Sequence, residues 1–235
     1  MIRVDRKALS RCEIVRMAVN RFLNDGFTKT TVASMGKALH MSTGNMTFYF
    51  ATKEHMLAEL VNMLVKYQRS RMESEAGEGS SIMAICLELL TIASACEQDE
   101  VAKDFFISTY TSPLCLEIIR KNDVERAKEV FKEYCPDWTD DRFAEAETLV
   151  SGIEYGTLQQ TESSATLELR ISGALELILT IYNVPYDERK RMIEKVLSMD
   201  YKTLGLRVLE DFRKYVDKTT EQALHDLLKR IETTE

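Results

Sequence analysis

The sequence predicts an all-α protein, and three observations support that fold class. Only 3 prolines and 9 glycines occur in 235 residues, which is few for a sandwich or barrel with many tight turns. Apolar residues recur at helical spacing along most of the chain, and no segment alternates with a period of two. With 45% apolar residues, the chain is long enough for a sizeable core and one or two domains.

Four helices are predicted in the N-terminal part of the chain. The first ends at Gly26, which suits the left-handed position after a helix, and Phe27 is expected to pack back onto the core. Ser and Thr side chains at helix starts supply the caps. The expected bounds, with the capping residue in parentheses, are 8–24, Val32 to about Leu39 (Thr30 or Thr31), Thr43 to about Phe48 (Ser42), and from Thr52 onward (Thr52).

The rest of the chain is predicted to be helical with short connections. Glu73 to Ser81 is the clearest loop, and a helix is expected to start at Ser80 or Ser81. Pro113 is expected to kink or end its helix. Further helical stretches are predicted at about 99–119, 122–134, 139–160, 165–183, 186–199 and 200–231, the last either continuous or broken.

Positive charge is concentrated near the N-terminus. Residues 1–71 carry 12 Lys and Arg against 5 Asp and Glu, a net of +7, and the rest carries 19 against 33, a net of −14. A basic end on an acidic body suits a protein that approaches phosphates with one end only. A chance fluctuation also fits this pattern, so a motif has to decide.

Cysteine and histidine usage predicts no metal, no cofactor and no disulfide. The 5 cysteines are irregularly spaced, without a CxxC pair or a cluster with the 3 histidines. They are expected to be reduced and to pack as small apolar side chains. No apolar stretch of 18 residues is apparent, and no apolar segment follows the basic N-terminus, so we expect a cytoplasmic protein without a membrane span.

Residues 26–53 contain no Asp or Glu and cover the second and third predicted helices. Two short helices joined by a turn of three or four residues, after a longer helix, are typical of a helix-turn-helix. The helix that enters the major groove needs small or polar side chains in its first turn. Ser42, Thr43, Gly44 and Asn45 meet that need, and Thr47 follows. The segment therefore predicts binding of double-stranded DNA.

Residues 8–57 resemble the DNA-binding domain of the tetracycline-repressor (TetR) family. The family pattern has an aromatic residue after a glycine, a Thr-Thr-Val start, and then Ser-x-Gly-x-hydrophobic-Tyr-x-aromatic-Phe followed by x-x-Lys-Glu. The matching segments are Gly26-Phe27-Thr28-Lys29-Thr30-Thr31-Val32 and Ser42-Thr43-Gly44-Asn45-Met46-Thr47-Phe48-Tyr49-Phe50-Ala51-Thr52-Lys53-Glu54.

Four positions depart from the family pattern. His40 stands where the turn usually has glycine, and a residue other than glycine at positive φ costs roughly 1 kcal/mol. Gly36 replaces a usual alanine and weakens its helix by about 1 kcal/mol unless a close helix crossing compensates. Thr47 replaces a tyrosine that faces phosphate, and Ala51 replaces a proline.

The resemblance implies a DNA-binding domain at residues 1–54 and a helical effector-binding and dimerisation domain at 55–235. It also implies a ligand-responsive repressor that binds a palindromic operator as a homodimer. Phe48 is expected either to touch a thymine methyl or to be a partly buried packing residue, and Gly44 to let the backbone approach DNA. The phosphate contacts implied are Thr31, Ser42, Tyr49 and Lys53; the base-edge candidates are Thr43, Asn45 and Thr47. The core of this domain is expected from Val32, Met35, Leu39, Met46 and Phe50.

The body offers two weaker predictions. An effector pocket needs apolar and aromatic walls, for which the candidates are Met63, Tyr67, Phe105, Phe106, Tyr110 and Trp138. Small residues on adjacent helices indicate close helix packing, either within the chain or in a two-fold four-helix bundle of a homodimer. The candidates for that dimer interface are Gly152, Tyr155, Gly156 and Gly173.

Two other classes of function compete with the DNA-binding regulator. An enzyme is not predicted, because the sequence has no nucleophile–base pair, phosphate-binding glycine loop or metal spacing. The pair Glu145 and Glu147 is interpreted as a solvated helix face. An interaction protein that kept the three-helix head but lost DNA binding is the second alternative, because Thr47 and His40 depart from the family pattern.

Overall fold

The computed structural model describes residues 6–77 and 81–232, and this part of the chain is all-α, as predicted. It contains eleven helices and no strand. We call α1 to α3 the head and α4 to α11 the body. The helices are α1 (Arg6–Asn24), α2 (Val32–Ala38), α3 (Thr43–Tyr49), α4 (Lys53–Ala76), α5 (Ser81–Gln98), α6 (Glu100–Thr111), α7 (Pro113–Val130), α8 (Asp140–Leu158), α9 (Leu167–Ile181), α10 (Tyr186–Leu197) and α11 (Tyr201–Glu232).

Helix α1 is the scaffold of the head because its apolar residues share one face. Ile14, Ala18 and Phe22 are fully buried. After the helix ends, Gly26 has a φ of 93°, a conformation that glycine adopts readily and other residues do not. Phe27 then packs edge-on against Phe22, with ring centroids 5.0 Å apart. The predicted helix end and the return of Phe27 to the core are confirmed.

The turn between α2 and α3 has a histidine at positive φ. His40 has a φ of 54°, the left-handed conformation that the family pattern fills with glycine. Just after it, the Met41 amide donates to the Gly36 carbonyl at 2.8 Å. A Cβ on Gly36 would lie 2.8 Å from the Met41 oxygen and 3.2 Å from Met46 Cγ. Gly36 therefore permits the close approach of α2 to the turn and α3.

The body surrounds α5, which packs against α4, α6, α9 and α11. Helix α11 also lies along α1, where Arg16 contacts Asp217 at 3.1 Å and Glu221 at 3.2 Å. The buried apolar residues of head and body form one continuous cluster. The head is therefore held both by α4, which leaves it directly, and by α11 from the far end of the chain.

Helix α5 corrects the expectation that no apolar stretch of 18 residues occurs. Ser81–Gln98 is long and apolar enough, by length and composition, to cross a membrane. In the fold, however, 13 of its 18 residues are buried against other helices. Its apolar surface is therefore already covered by this chain. The two acidic residues within it, Glu88 and Glu97, are paired with Arg126 and Arg170.

Several predicted boundaries are wrong. Helix α4 continues to Ala76, so residues 73–76 are helical, and the next residues of the predicted loop, 78–80, lie outside the described part. The predicted break near residue 120 lies instead at Ser112. Pro113 begins α7, at a position where its missing N–H has no helical partner in any case. The last helix, α11, is continuous over 32 residues.

Candidate nucleic-acid interface and internal cavity

Side-chain caps begin the two short helices of the head. Thr31 Oγ1 accepts a hydrogen bond from the Ser34 amide at 3.1 Å, and Ser34 Oγ accepts one from the Thr31 amide at 3.3 Å. Ser42 Oγ accepts from the Asn45 amide at 3.1 Å. Thr52 makes no such cap for α4; its hydroxyl is hydrogen-bonded to His55 Nδ1 at 3.0 Å. The predicted side-chain caps at Thr31 and Ser42 are confirmed, whereas the predicted side-chain cap at Thr52 is wrong.

Helix α3 has one buried face and one exposed face. Met46 is fully buried and anchors the helix in the head, together with Met35 and Phe50. The predicted contacts on the other face are exposed: Ser42, Thr43, Gly44, Asn45, Thr47 and Phe48. Because residues 26–53 contain no Asp or Glu, no side chain of this segment repels a phosphate that approaches the exposed face.

Two positions on the exposed face have informative surroundings. Phe48 is 67% exposed, so most of its side chain faces solvent and not the core. Its ring lies edge-on to Tyr49, with centroids 5.2 Å apart. A Cβ built on Gly44 would meet nothing within 4 Å, so packing within this chain does not require a glycine there.

Lys53 is tied to the backbone of the head. Its ammonium donates to the carbonyls of Phe27 at 2.9 Å and Thr30 at 3.2 Å, and lies 4.2 Å from the centroid of the Phe27 ring. An ammonium has three N–H donors, so one remains for a phosphate. Sequence reasoning did not predict this structural role of Lys53, which holds the loop after α1 against the start of α4. Tyr49, another predicted phosphate contact, is half-buried, whereas Thr31 is exposed.

Two further lysines of the acid-free segment are exposed, and sequence reasoning did not single them out. Lys29 lies in the loop before α2, and Lys37 lies in the last turn of α2. Neither forms an ion pair with a residue that the structure describes. Their charges are therefore available to a phosphate backbone. The absence of acids around them was the signal that could have identified them.

An internal cavity lies in the body between α4, α5, α6, α7, α8 and the end of α9. It offers about 70 Å³ of space for the centres of water-sized molecules. Because roughly 10–15 Å³ is enough for one water, the cavity has room for a small organic molecule. Its walls combine aliphatic residues with four aromatic rings, those of Phe106, Tyr110, Phe131 and Tyr182.

Four carboxyl groups and one guanidinium also line this cavity: Glu88, Asp123, Glu147, Glu154 and Arg126. Arg126 Nη1 donates to Glu88 at 2.6 Å, and its Nε and Nη2 have no partner. Tyr110 donates its hydroxyl hydrogen to Glu154 at 3.0 Å, and Tyr182 donates to Glu147. Asp123 accepts no hydrogen bond from a residue that the structure describes.

Burial makes these carboxyl groups hard to ionise. Desolvation raises the pKa of Glu147 to about 7 and that of Glu154 to about 8. Burial, together with the neighbouring Glu154, also raises the pKa of Asp123 well above its ordinary value. Glu147 is only 4% exposed, so its interpretation as part of a solvated helix face is wrong, although Glu145 on the same helix is exposed.

Only part of the predicted pocket lining agrees with the cavity. Phe106 and Tyr110 line it. Tyr67 packs instead against two aromatic rings of α11, and Trp138 lies behind Tyr182, with ring centroids 5.8 Å apart. The four predicted residues that do not line the cavity are Met63, Tyr67, Phe105 and Trp138. Sequence reasoning favoured aromatic residues and missed the acids, which are usually exposed.

The glycines of α8 and α9 face outward. Gly152, Gly156 and Gly173 are exposed, and a Cβ on any of them would meet nothing within 4 Å. Close packing within this chain, one of the two alternatives, is therefore wrong for these glycines. Exposed leucines share the same helices: Leu149 is 54% exposed, Leu169 65% and Leu177 57%. Tyr155, the fourth predicted interface residue, is half-buried and packs near Tyr110.

Helix α6 connects the head to the cavity. Near its start, Asp104 accepts hydrogen bonds from the Thr28 amide at 2.9 Å and from the Thr28 hydroxyl. Within the next two turns, Phe106, Thr109 and Tyr110 line the cavity. Helix α4 makes a second connection, since it starts in the head and lines the cavity with Val61, Leu64, Val65 and Gln68. A change in the cavity can therefore reach the head along two helices.

Comparisons with known proteins find similarity among solved structures. No protein-family model matches the sequence, and the comparison with curated proteins finds no match. The TetR family protein CprB from S. coelicolor A3(2) is 20% identical with a TM-score of 0.43, over 86% of this chain and 98% of that one. A γ-butyrolactone receptor (ArpA-like protein) is 18% identical with a TM-score of 0.40, over 87% and 99%. A second such receptor is 20% identical with a TM-score of 0.38, over 88% and 98%.

Proposed function

We propose that this protein is a sequence-specific, DNA-binding transcription regulator of the TetR type. The observation that carries the proposal is the exposed face of α3, which is small, polar and free of acids. Met46 holds the opposite face in the core, so α3 protrudes as a rigid element. A helix presented in this way fits the major groove of B-form DNA.

The predicted DNA contacts have two roles. Thr43, Asn45 and Thr47 read base edges, with Asn45 able to make two hydrogen bonds to adenine. Thr31, Ser42, Tyr49 and Lys53 hold phosphates, which fixes the register of the protein without reading sequence. Gly44 lets the backbone of α3 approach the bases, and Phe48 contacts a thymine methyl. Lys29 and Lys37 add non-specific affinity.

The protein acts as a homodimer on a palindromic operator. The outward glycines and leucines of α8 and α9 support this, because a two-fold pairing of both helices buries them in a four-helix bundle. Two heads spaced by a dimer fit two half-sites one helical turn apart. In this proposal, residues 1–54 bind DNA, and residues 55–235 bind the effector and the second copy of the chain.

Repression in the cytoplasm is relieved by a small-molecule effector in the cavity. Binding favours a spacing of the two heads that no longer matches successive major grooves, which is a shift between two populations. Helices α4 and α6 support this coupling, because each has one end at the head and another part at the cavity.

Selection from a random DNA duplex pool tests the proposed function without knowledge of the operator. The full-length protein is expected to enrich a palindrome whose half-sites are about 10 bp apart. The Asn45→Ala protein is expected to lose the preference at one base pair of each half-site. The matched control is Asn62→Ala, which removes an exposed asparagine from α4 and should enrich the wild-type palindrome. Enrichment of no site by the wild-type protein would leave an interaction protein as the remaining interpretation.

A further inference from the structure

The cavity of the body is lined by more carboxyl groups than cationic groups, counting the residues that the structure describes. Four carboxyl groups line it, whereas Arg126 is its only guanidinium or ammonium group among the described lining residues. Among the described residues, Arg126 forms an ion pair only with Glu88, at 2.6 Å. Asp123, Glu147 and Glu154 therefore have no cation hydrogen-bonded to them.

The carboxyl groups without a bonded cation line the cavity, where Glu147 is buried and Asp123 and Glu154 are half-buried. Asp123 accepts no hydrogen bond from a described residue. Glu147 and Glu154 each accept one bond from a tyrosine hydroxyl, which leaves acceptor positions unused. A carboxylate without a bonded cation is costly in such surroundings, so burial favours the protonated forms.

The aromatic walls favour the same kind of ligand as the carboxyl groups do. Phe106, Tyr110, Phe131 and Tyr182 line the same space. The faces of aromatic rings attract cations, most strongly where water is excluded. The remaining walls are aliphatic, as for an apolar ligand body. Among the described residues, no group of three or more His, Cys, Asp or Glu side chains has the arrangement of a metal site.

We propose that the effector is a small organic cation, a protonated or quaternary amine with an apolar body. Its charged nitrogen lies against Asp123 and Glu154, and its body lies against the aromatic rings. This inference rests on the proposed function for its regulatory meaning, but the binding site itself does not depend on DNA.

Calorimetry on the DNA-free, full-length protein tests the proposal with three cations. These probes are benzylammonium, benzyltrimethylammonium and choline. The neutral counterparts of matching shape are benzyl alcohol and 3,3-dimethylbutan-1-ol. We expect at least one cation to bind more than tenfold more tightly than its neutral counterpart. Trp138, the only tryptophan in the sequence, gives a second readout, because its ring is 5.8 Å from that of Tyr182.

Two charge-removing variants locate the cation. Asp123→Asn and Glu154→Gln should each weaken binding of the cation more than tenfold and leave the neutral compound unaffected. Matched controls on the same helices are Glu125→Gln and Glu145→Gln, which change exposed carboxylates and should bind as the wild type does. Folding of each variant is checked by circular dichroism and thermal unfolding.

The pH dependence gives a third readout, with benzyltrimethylammonium because its charge does not titrate. Its affinity should rise from pH 6 to pH 8.5, as Glu147 and Glu154, with pKa values of about 7 and 8, lose their protons. Binding should release protons in the same range. The charged and titratable groups that face these two are Glu88, Tyr110, Arg120, Asp123, Arg126 and Tyr182.

The outcomes separate this inference from the proposed function. Binding of neutral compounds as tight as that of the cations, or no binding of any cation, would overturn the cation site while leaving DNA binding intact. Cation binding that both variants weaken, in a protein that selects no DNA site, would uphold the cation site and overturn the regulator.

Discussion

Gly36 and Gly44 lie on adjacent helices of the head but have opposite surroundings. A Cβ on Gly36 would lie 2.8 Å from a backbone oxygen, which cannot move away as a flexible side chain does. A Cβ on Gly44 would enter open space on the exposed face of α3. Helix packing therefore requires a glycine at position 36 but not at position 44, where only DNA binding can require one.

We predict opposite effects for alanine at these positions. Gly36→Ala should lower the free energy of unfolding by roughly 1–3 kcal/mol, because α2 and the turn must separate. Gly44→Ala should change stability little or raise it by up to about 1 kcal/mol, because alanine favours a helix. It should nevertheless weaken DNA binding, because its methyl group projects toward the groove. Urea unfolding and DNA-binding anisotropy check both; equal losses of stability would contradict the assignment.

Glu154 makes the stability of the protein depend on pH. The folded state raises its pKa from 4.5 to about 8, so between these values the folded state binds more protons than the unfolded state. Its contribution to stability is therefore complete below about pH 4.5 and is lost as pH rises through 8. Glu147 acts in the same direction up to about pH 7.

Glu154→Gln should flatten this dependence. The variant is expected to lose less stability than the wild type between pH 5 and pH 8, measured by urea unfolding in a series of buffers. Glu145→Gln removes an exposed carboxylate from the same helix and should retain the wild-type slope. A slope in Glu154→Gln equal to that of the wild type would show that Glu154 is ionised in the folded protein over this range, contrary to the raised pKa.

Local chemistry explains which features of helices were predictable. The caps of α2 and α3 and the turn at His40 depend on residues within four positions of one another, so the sequence predicts them. The acids of the cavity depend on distant partners: Tyr182 lies 35 residues after Glu147, and Tyr110 lies 44 residues before Glu154. Helix periodicity places such acids on a face but cannot tell whether that face is solvated or enclosed.

Tertiary packing explains the misplaced helix boundaries. A break is predicted near residue 120, yet α7 continues because Ile119 and Ala127 bury one of its faces. Arg126 is buried within the same helix through its pairing with Glu88 of α5. The sequence of α7 alone indicates a polar helix. Glu88, the residue that pairs with Arg126 of this helix, is 38 positions away in the sequence.

The contact between α6 and the head should transmit effector binding. Asp104→Ala removes the hydrogen bonds to the Thr28 amide and hydroxyl. We expect faster hydrogen exchange at residues 26–30 and a smaller effect of the effector on DNA affinity. The local loss is about 1 kcal/mol, since the bonds are near solvent. Glu100→Ala changes an exposed acid of the same helix and serves as the control; unchanged exchange in Asp104→Ala would remove this contact from the coupling route.

At the scale of the whole molecule, the exposed apolar face of α8 and α9 predicts the oligomeric state. Leu177→Arg places a charge in the proposed four-helix bundle and should convert the dimer to a monomer, measured by light scattering after gel filtration. Leu206→Arg is the matched control, because Leu206 is 65% exposed on α11, outside that face. A wild-type protein that is monomeric at every concentration would contradict the proposed interface.

Fluorescence anisotropy of the protein on its selected DNA site, over a range of salt concentrations, tests the central claim most directly. We predict that binding weakens steeply with salt, because each phosphate contact contributes about −0.9 to the slope of log affinity against log salt. Asn45→Ala should bind roughly 5- to 150-fold more weakly with the same slope, as loss of a base contact costs about 1–3 kcal/mol. Asn62→Ala should match the wild type. Binding that ignores salt, or an Asn45→Ala protein with full affinity and preference, would contradict α3 as the recognition helix.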